Sequence, residues 1–268
     1  MIIRKPKVSG QFYPSNKDAL KKQLSQLCPD EKNPILAKGI VMPHAGYMFS
    51  GPVAGSVISK IAPKSLYIII GPNHTGYGAP FSLMQDGIWQ TPLGDVQVDE
   101  TFTKKLLEIS KHIKADYEAH IDEHSIEVEI PFLQHKKNSF RIVPLIVAGA
   151  HLSTYKEIGK DIATCIQELS VDTTIIASSD FTHYEDHNSA LKKDRIAIEA
   201  ILALDEKRFL EAVKEYDISA CGYGPIAVMI TVVKLLGATK AQLVRYQTSG
   251  DLSGDYESVV GYAGILIT

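Results

Sequence analysis

The apolar residues of this chain fall into short continuous runs rather than strictly alternating positions. Four runs rich in β-branched residues each end at turn residues, namely GIVM (39–42), SLYIII (65–70), RIVPLIVAG (141–149) and TTIIAS (173–178). A continuous apolar run of this length is typical of a strand buried on both faces in the centre of a parallel sheet. Helical stretches lie between the runs, at residues 53–61, 101–112, 125–133, 155–169, 190–203, 206–215 and 225–236. This alternation predicts a largely parallel sheet covered by helices.

Two further apolar runs near the C-terminus, AQLVRYQTSG (241–250) and SVVGYAGILIT (258–268), have only a turn-rich segment between them. Without a crossover helix they are expected to pair antiparallel and make the sheet mixed. Residues 77–99 contain strand-like pieces that the pattern does not place. Because no Ser/Gly/Pro-rich linker divides the chain, we predict one α/β domain over residues 1–268, with a central, mostly parallel mixed sheet flanked by helices.

Composition and charge narrow the class of partner. Of the 268 residues, 45% are hydrophobic and 22% charged, as in an ordinary globular protein. The net charge of −3 gives no electrostatic footprint for nucleic acid or an anionic membrane surface, so a small or neutral partner is expected. The most apolar helical stretch begins at Ile226 and is interrupted by Lys234, which leaves it short of the ~20 residues that span a bilayer.

The cysteines and the N-terminus bear on the compartment. Three cysteines, an odd number without a CxxC pair, argue against a disulfide framework or a structural zinc module and favour free thiols. The first ten residues carry no apolar stretch long enough for a signal peptide. A cytoplasmic location is expected.

Several residues with metal-binding or acid–base chemistry follow the predicted strands. His44 follows GIVM, His74 follows SLYIIIGPN, Asp180 and His183 follow TTIIAS, and Cys221 precedes a helix with a proline in its first turn. In an open α/β sheet, ligands bind beyond the carboxyl ends of the strands, where loops lead into helices. We therefore expect these side chains to meet at one edge of the sheet.

Each of these residues also has an ordinary structural explanation. An isolated loop histidine such as His44 or His74 commonly caps a helix or forms a hydrogen bond, and Asp180 is a natural turn cap. Cys221 is interpretable as a small buried apolar residue, or as a thiolate whose pKa is lowered by its place before a helix. The coincidence of all four positions favours the functional interpretation.

If they converge, His44, His74 and Cys221 supply two nitrogens and a sulfur, a donor set that zinc, iron and copper accept and magnesium and calcium do not. His183, held by Asp180 or standing free beside the metal, is then the candidate general acid or base.

A further cluster lies in AHIDEHSIEVEIPF (119–132). His120 and His124 are four residues apart, as are Glu123 and Glu127, so in a helix each pair shares a face. The pattern fits either a solvated acidic helix start or a metal-binding pair. Glu123 or His124 is alternatively a residue that orients the metal ligands by hydrogen bonds.

The chain resembles the Memo family in a set of motifs that spans nearly its whole length. These motifs are VSGQFYPS, PHAGYMFSG, GPNHTG, EHSIEVEIPF, SSDFTHY and CGYGPI, in this order. The resemblance implies a single α/β domain similar to the class III extradiol dioxygenases, the LigB-like group of non-haem iron enzymes.

The resemblance also implies site residues. It assigns the metal ligands to His44, His74 and Cys221, and puts His183 where those dioxygenases keep a catalytic histidine. The dioxygenases use two histidines and a glutamate, whereas the third position here is a cysteine, which changes the charge and redox behaviour of a metal. An iron or copper site is therefore implied, and cleavage of a catechol ring is not.

Three functions follow as hypotheses. The leading one is a metal-binding protein, with iron or copper, that performs redox or oxygenase-like chemistry on a small substrate, with His183 and Asp180 as catalytic residues. The second is a non-catalytic module that binds a peptide through Phe12, Tyr13 and Tyr47. The third is a zinc-dependent hydrolase that uses His183 as a proton shuttle.

Overall fold

A twelve-stranded mixed sheet runs through the computed structural model, which describes residues 2–137 and 139–268. The strands are β1 (Ile3–Arg4), β2 (Gly39–Met42), β3 (Leu66–Pro72), β4 (Phe81–Leu83), β5 (Ile88–Thr91), β6 (Gly94–Val98), β7 (Lys114–Ala115), β8 (Arg141–Val147), β9 (Thr173–Ser178), β10 (His183–Glu185), β11 (Ala241–Thr248) and β12 (Val259–Ile267). The helices are α1 (Lys17–Leu27), α2 (Gly51–Lys60), α3 (Glu100–Ile109), α4 (Glu118–Ile121), α5 (Ile130–Lys136), α6 (Leu152–Leu169), α7 (His187–Leu202), α8 (Glu206–Glu215), α9 (Tyr223–Leu235) and α10 (Gly250–Ser253).

The centre of the sheet is parallel, in the order β6-β8-β3-β9-β2. Strand β12 then pairs antiparallel with β2 and β11, as the missing crossover helix predicted. The α/β class and the mostly parallel, mixed sheet are confirmed. The unplaced segment 77–99 forms β4, which pairs antiparallel with β8, and the hairpin β5–β6.

The central strands are buried on both faces because helices cover both sides of the sheet. All seven residues of β3 are buried. Ile68 and Ile70 lie in a core with residues of α6 and α9, whereas Tyr67 and Ile69 lie in a second core with residues of α1, α2 and α5. This two-sided burial explains the continuous apolar runs. Among the described helices, none is long and apolar enough to cross a membrane.

Helix α1 lies outside the predicted helices, although its start carries a recognisable signal. The Asn16 side chain accepts hydrogen bonds at 3.0 Å from the backbone N–H groups of Asp18 and Ala19, which satisfies two amides that a helix start leaves unpaired. Leu20 and Leu24 are its buried residues, four positions apart on one face.

Helices α1 and α2 pack closely because Gly55 has no side chain. A Cβ atom there would lie 2.1 Å from the carbonyl oxygen of Leu27, the last residue of α1. We expect Gly55→Ala to destabilise the protein by about 1–3 kcal/mol, the usual cost of overpacking, measured by urea unfolding. Ser56→Ala, on the half-buried side of the same helix, is the control and is expected to stay within about 0.5 kcal/mol. Equal stability of both variants would contradict the close packing.

The segment between α4 and α5 differs from its prediction. Residues 125–133 are expected as one helix with a solvated acidic face, but a 3₁₀ turn at Glu127–Glu129 precedes α5. Glu123, Glu127 and Glu129 are fully buried, so both the continuous helix and the solvated acidic start are wrong.

A buried ion pair explains part of this burial. The Arg4 guanidinium donates to the Glu127 carboxylate, and both side chains are 1% exposed. The same carboxylate accepts the backbone N–H groups of Lys7 and Val8, at 2.7 and 3.0 Å, and the hydroxyl of Tyr13 at 2.5 Å. The N-terminal segment is thereby fixed to the segment that precedes α5.

Candidate metal centre

Three neighbouring strands deliver polar side chains to one edge of the sheet at the same offset. His44, His74 and Asp180 each lie two residues beyond the end of their strand, which is β2, β3 and β9 respectively. These strands are adjacent, in the order β3-β9-β2. Cys221 does not follow a strand but lies in the loop before a helix, two residues before the start of α9. The predicted convergence at the carboxyl edge is therefore present in the fold.

His44, His74 and Cys221 form one group. One potential ligand atom from each lies within 4.8 Å of the other two, and Cys221 Sγ is 3.3 Å from His44 Nε2. The two imidazole rings meet edge to face, with centroids 5.2 Å apart. His44 is buried, Cys221 is half-buried and His74 is exposed.

The backbone and ring of His44 are both fixed. Its N–H donates to Asp180 Oδ1 at 2.9 Å, and its Nδ1 lies 2.7 Å from the hydroxyl of Ser178, the last residue of β9. Nε2 is left to face Cys221. Burial lowers the pKa of His44 well below its ordinary value, and the nearby rings of His124 and His74 lower it further. The ring is therefore neutral, as a metal ligand has to be.

Glu123 fixes both the backbone and the ring of His74. Its carboxylate accepts the His74 N–H at 2.6 Å, lies 2.9 Å from His74 Nδ1, and accepts the Ser125 N–H at 2.9 Å. Burial acts to raise the pKa of Glu123, but the hydrogen bonds and charge of His74 outweigh it and hold the value at about 2. Burial lowers the pKa of His74, and Glu123 reverses this so that it is raised. A carboxylate that orients a histidine in this way is typical of metal sites.

His124 belongs to the site more directly than its sequence spacing indicates. Its ring stacks on His74, with centroids 4.7 Å apart and an interplanar angle of 16°, and lies 5.4 Å from His44. His74, Glu123 and His124 form a second group whose ligand atoms lie within 4.8 Å of one another. The alternative of a metal-binding pair of His120 and His124 is not formed, because His120 points away into a buried contact with Trp89.

His183 is anchored by Ser219 and not by Asp180. Its N–H donates to Ser219 Oγ at 2.7 Å, and its Nδ1 lies 2.9 Å from the Ser219 carbonyl. Because a carbonyl only accepts, Nδ1 bears a proton, and among the residues that the structure describes Nε2 has no hydrogen-bond partner. The Asp180 carboxylate is used by the His44 backbone, and burial raises its pKa to about 6. Within the described residues, the metal-ligand groups do not include His183.

The chain as a whole is similar to known proteins. The Memo family, described as Memo-like protein, matches residues 4–266 of this chain. The chain belongs to the Memo family.

The similarity to relatives extends over whole chains. A MEMO1 family protein of Methanopyrus kandleri is 46% identical over 277 residues, covering 98% of both chains. A MEMO1 family protein of Pyrobaculum arsenaticum is 43% identical over 279 residues, covering 99% of both. The crystal structure of uncharacterized protein JW3007 from Escherichia coli K12 superposes with a TM-score of 0.60 at 13% identity, over 87% of this chain and 100% of that one. That likeness supports the fold alone.

The thiol of this Memo family protein is not activated by its position before α9. Burial raises the pKa of Cys221 well above its ordinary value, and the charge of Asp180 raises it further, against a hydrogen bond from the Asp180 N–H. Of the two interpretations of Cys221, the thiolate with a lowered pKa is therefore wrong for the protein without a bound metal ion. A bound metal cation would reverse the balance, since a thiol that coordinates a metal is deprotonated.

Two of the residues assigned to a peptide-binding surface in this Memo family protein are buried. Tyr13 and Tyr47 are 3% and 1% exposed. Their hydroxyls donate inward, to the Glu127 carboxylate and to the Val128 carbonyl at 2.7 Å. Only Phe12 is partly accessible, with its ring edge-on to His124 at 5.1 Å. A docking role for the tyrosines is therefore wrong.

Proposed function

We propose that His44, His74 and Cys221 bind one transition metal ion, iron or copper, and that the loaded site performs redox or oxygenase-like chemistry on a small substrate. The observation that carries the proposal is the convergence of two imidazoles and a thiol, from three distant parts of the chain, within 4.8 Å. Family membership supports it, because the match to the Memo family covers residues 4–266 and so includes all three residues.

The donors fit such an ion. Cys221 Sγ and His44 Nε2 are 3.3 Å apart, close to the spacing expected of two ligands bound at about 2.0–2.3 Å to one ion. Imidazole and thiolate donors suit zinc, iron and copper, whereas magnesium and calcium prefer oxygen. The hydrogen bond from His74 to Glu123 supplies the outer support typical of bound histidines.

The other residues prepare the site for chemistry. Asp180 fixes the loop of His44 through the backbone N–H, and Glu123 fixes His74. His183 has a free Nε2 with which to take up or release a proton. When bound, iron or copper supplies one-electron redox chemistry.

Elemental analysis of anaerobically purified protein tests the metal site. We expect near-stoichiometric iron or copper in the parent protein and its loss in His44→Ala and Cys221→Ser. Cys28→Ser is the matched control, because Cys28 is a free thiol that lies at the end of α1. A parent protein that neither carries nor takes up metal would overturn the proposal, as would equal metal content in the Cys221 and Cys28 variants.

Activity assays of the loaded protein test the chemistry. Dioxygen consumption that depends on a candidate substrate would support a redox function. We expect this consumption to require the side chain of His183. Stoichiometric zinc, with metal-dependent hydrolysis and no dioxygen uptake, would replace it with the hydrolase hypothesis.

A further inference from the structure

The hydroxyl of Ser178 lies at the meeting point of three polar groups. Its Oγ is 2.7 Å from the Ser125 carbonyl oxygen, 2.8 Å from Glu129 Oε1 and 2.7 Å from His44 Nδ1. Ser178 and Glu129 are fully buried, and His44 is 1% exposed. The protons of this cluster therefore have to be distributed among the groups themselves.

A serine hydroxyl has one proton to donate and two lone pairs with which to accept. The Ser125 carbonyl can only accept, so at 2.7 Å it takes the single proton of Ser178. Both remaining partners then have to bring their own proton to Ser178. His44 donates from Nδ1, and Glu129 donates from a protonated carboxyl group.

We infer that Ser178, whose own proton goes to the Ser125 carbonyl, holds the proton of His44 on Nδ1, which leaves Nε2 bare toward Cys221, and that Glu129 is a neutral carboxylic acid that donates to the same hydroxyl. Ser178 is thus a positioning residue one hydrogen bond away from His44 of the candidate metal centre. Its part in fixing the His44 tautomer holds with or without a metal, and only its value for metal binding rests on the proposed function.

The second carboxyl oxygen of Glu129 supports the neutral state. Within residues 2–137 and 139–268, Glu129 Oε2 is buried and has no hydrogen-bond partner. An ionised carboxylate with one oxygen unpaired in the interior is far more costly than a neutral acid with an unpaired carbonyl. Burial raises the pKa of Glu129 well above its ordinary value, as does the charge of Asp180, against the hydrogen bond to Ser178.

Nuclear magnetic resonance of metal-free, ¹⁵N-labelled protein tests the tautomer. Two-bond ¹H–¹⁵N correlations identify which ring nitrogen of His44 is protonated, with the signal assigned by its loss in His44→Gln. We expect Nδ1 to carry the proton in the parent protein. In Ser178→Ala we expect the proton to shift toward Nε2, where Cys221 Sγ is an acceptor 3.3 Å away. A parent protein protonated on Nε2, or a tautomer unchanged in Ser178→Ala, would overturn the inference.

Variants that keep the hydrogen bonds separate positioning from a general effect on folding. Ser178→Thr retains the hydroxyl and is expected to keep the Nδ1-protonated tautomer, at whatever stability. Glu129→Gln retains a donor in its amide group and is expected to keep it as well. A shift to Nε2 in both conservative variants would show that packing, and not proton placement, governs the ring.

Infrared difference spectroscopy tests the charge of Glu129 directly. The spectrum of the parent protein minus that of Glu129→Gln should contain the carbonyl stretch of a protonated carboxylic acid. A carboxylate band in its place would refute the neutral state.

Metal affinity tests whether the tautomer matters for the candidate metal centre. We expect Ser178→Ala to weaken Fe²⁺ binding about 10–100-fold. If the parent protein binds no metal, the proposed function fails. The inference about the His44 tautomer is then still decided by the measurements on metal-free protein.

Discussion

Replacing Arg4 with methionine is expected to destabilise the fold by about 3–5 kcal/mol, the usual cost of removing one partner from a buried ion pair. The Glu127 carboxyl group, 1% exposed, would be left in the interior without the guanidinium. Two further hydrogen bonds would also be lost, from Arg4 Nε to the His120 carbonyl at 3.1 Å and from Nη2 to the Glu123 carbonyl at 2.6 Å. The guanidinium also stacks 4.5 Å from the ring centroid of Trp89. The free energy of unfolding in urea measures the loss.

A nearby surface pair provides the control for this prediction. Lys7 and Asp122 form an ion pair at 2.7 Å, but their side chains are 53% and 43% exposed. Exposed pairs contribute at most about 1 kcal/mol, so Lys7→Met is expected to change the stability by no more than that. If Arg4→Met destabilised no more than Lys7→Met, the buried pair would not fasten the N-terminal segment as described.

The centre of the fold could be predicted because its signals are local. Strands such as β3 and β9 are buried at every position and mostly apolar, since helices cover both faces of the sheet. The positions of His44 and His74 then follow, because parallel strands bring their carboxyl ends to one edge. Helix α9 could also be predicted, because its sequence is apolar over most of its length and has a proline in the first turn. Ten of its residues are buried.

The remaining features depend on contacts that a local pattern does not contain. Strands β4 and β5 are only three and four residues long, and their pairing is set by distant partners. The local sequence predicts that Glu127 is a solvated helix residue. In the structure it is buried, because it pairs with Arg4, which lies 123 positions away in the chain. Local charge spacing therefore predicts an exposed face where the tertiary structure builds a buried network.

His124 is one of the two residues expected to orient the metal ligands, but its stacking on His74 could not be predicted, for a related reason. A four-residue spacing to His120 has meaning only in a continuous helix, and the helix α4 ends at Ile121. The chain then turns so that His124 stacks on His74. The motif EHS (123–125) is the local signal of this turn. Its glutamate, Glu123, accepts a hydrogen bond from the backbone N–H of the serine two residues later.

Replacing Glu123 with glutamine is expected to weaken Fe²⁺ binding about 10–100-fold, the usual effect of losing an outer hydrogen-bond partner of a ligating histidine. The carboxylate accepts or faces three donors, the N–H and Nδ1 of His74 and the N–H of Ser125. A glutamine side chain offers one acceptor oxygen to them and turns its NH₂ group against the others. It also removes the negative charge that acts on His74. Anaerobic competition with a chromophoric chelator measures the affinity.

The adjacent Asp122→Asn variant isolates this effect from a change in net charge. Asp122 is 43% exposed and paired with Lys7 at the surface, so its neutralisation is expected to leave Fe²⁺ affinity unchanged. Thermal unfolding of both metal-free variants shows whether the fold is retained. Equal Fe²⁺ affinities for Glu123→Gln and Asp122→Asn in folded protein would mean that His74 needs no carboxylate behind it. A loss confined to Glu123→Gln would instead assign the buried carboxylate to the metal site, because Glu123, unlike Asp122, hydrogen-bonds the candidate ligand His74.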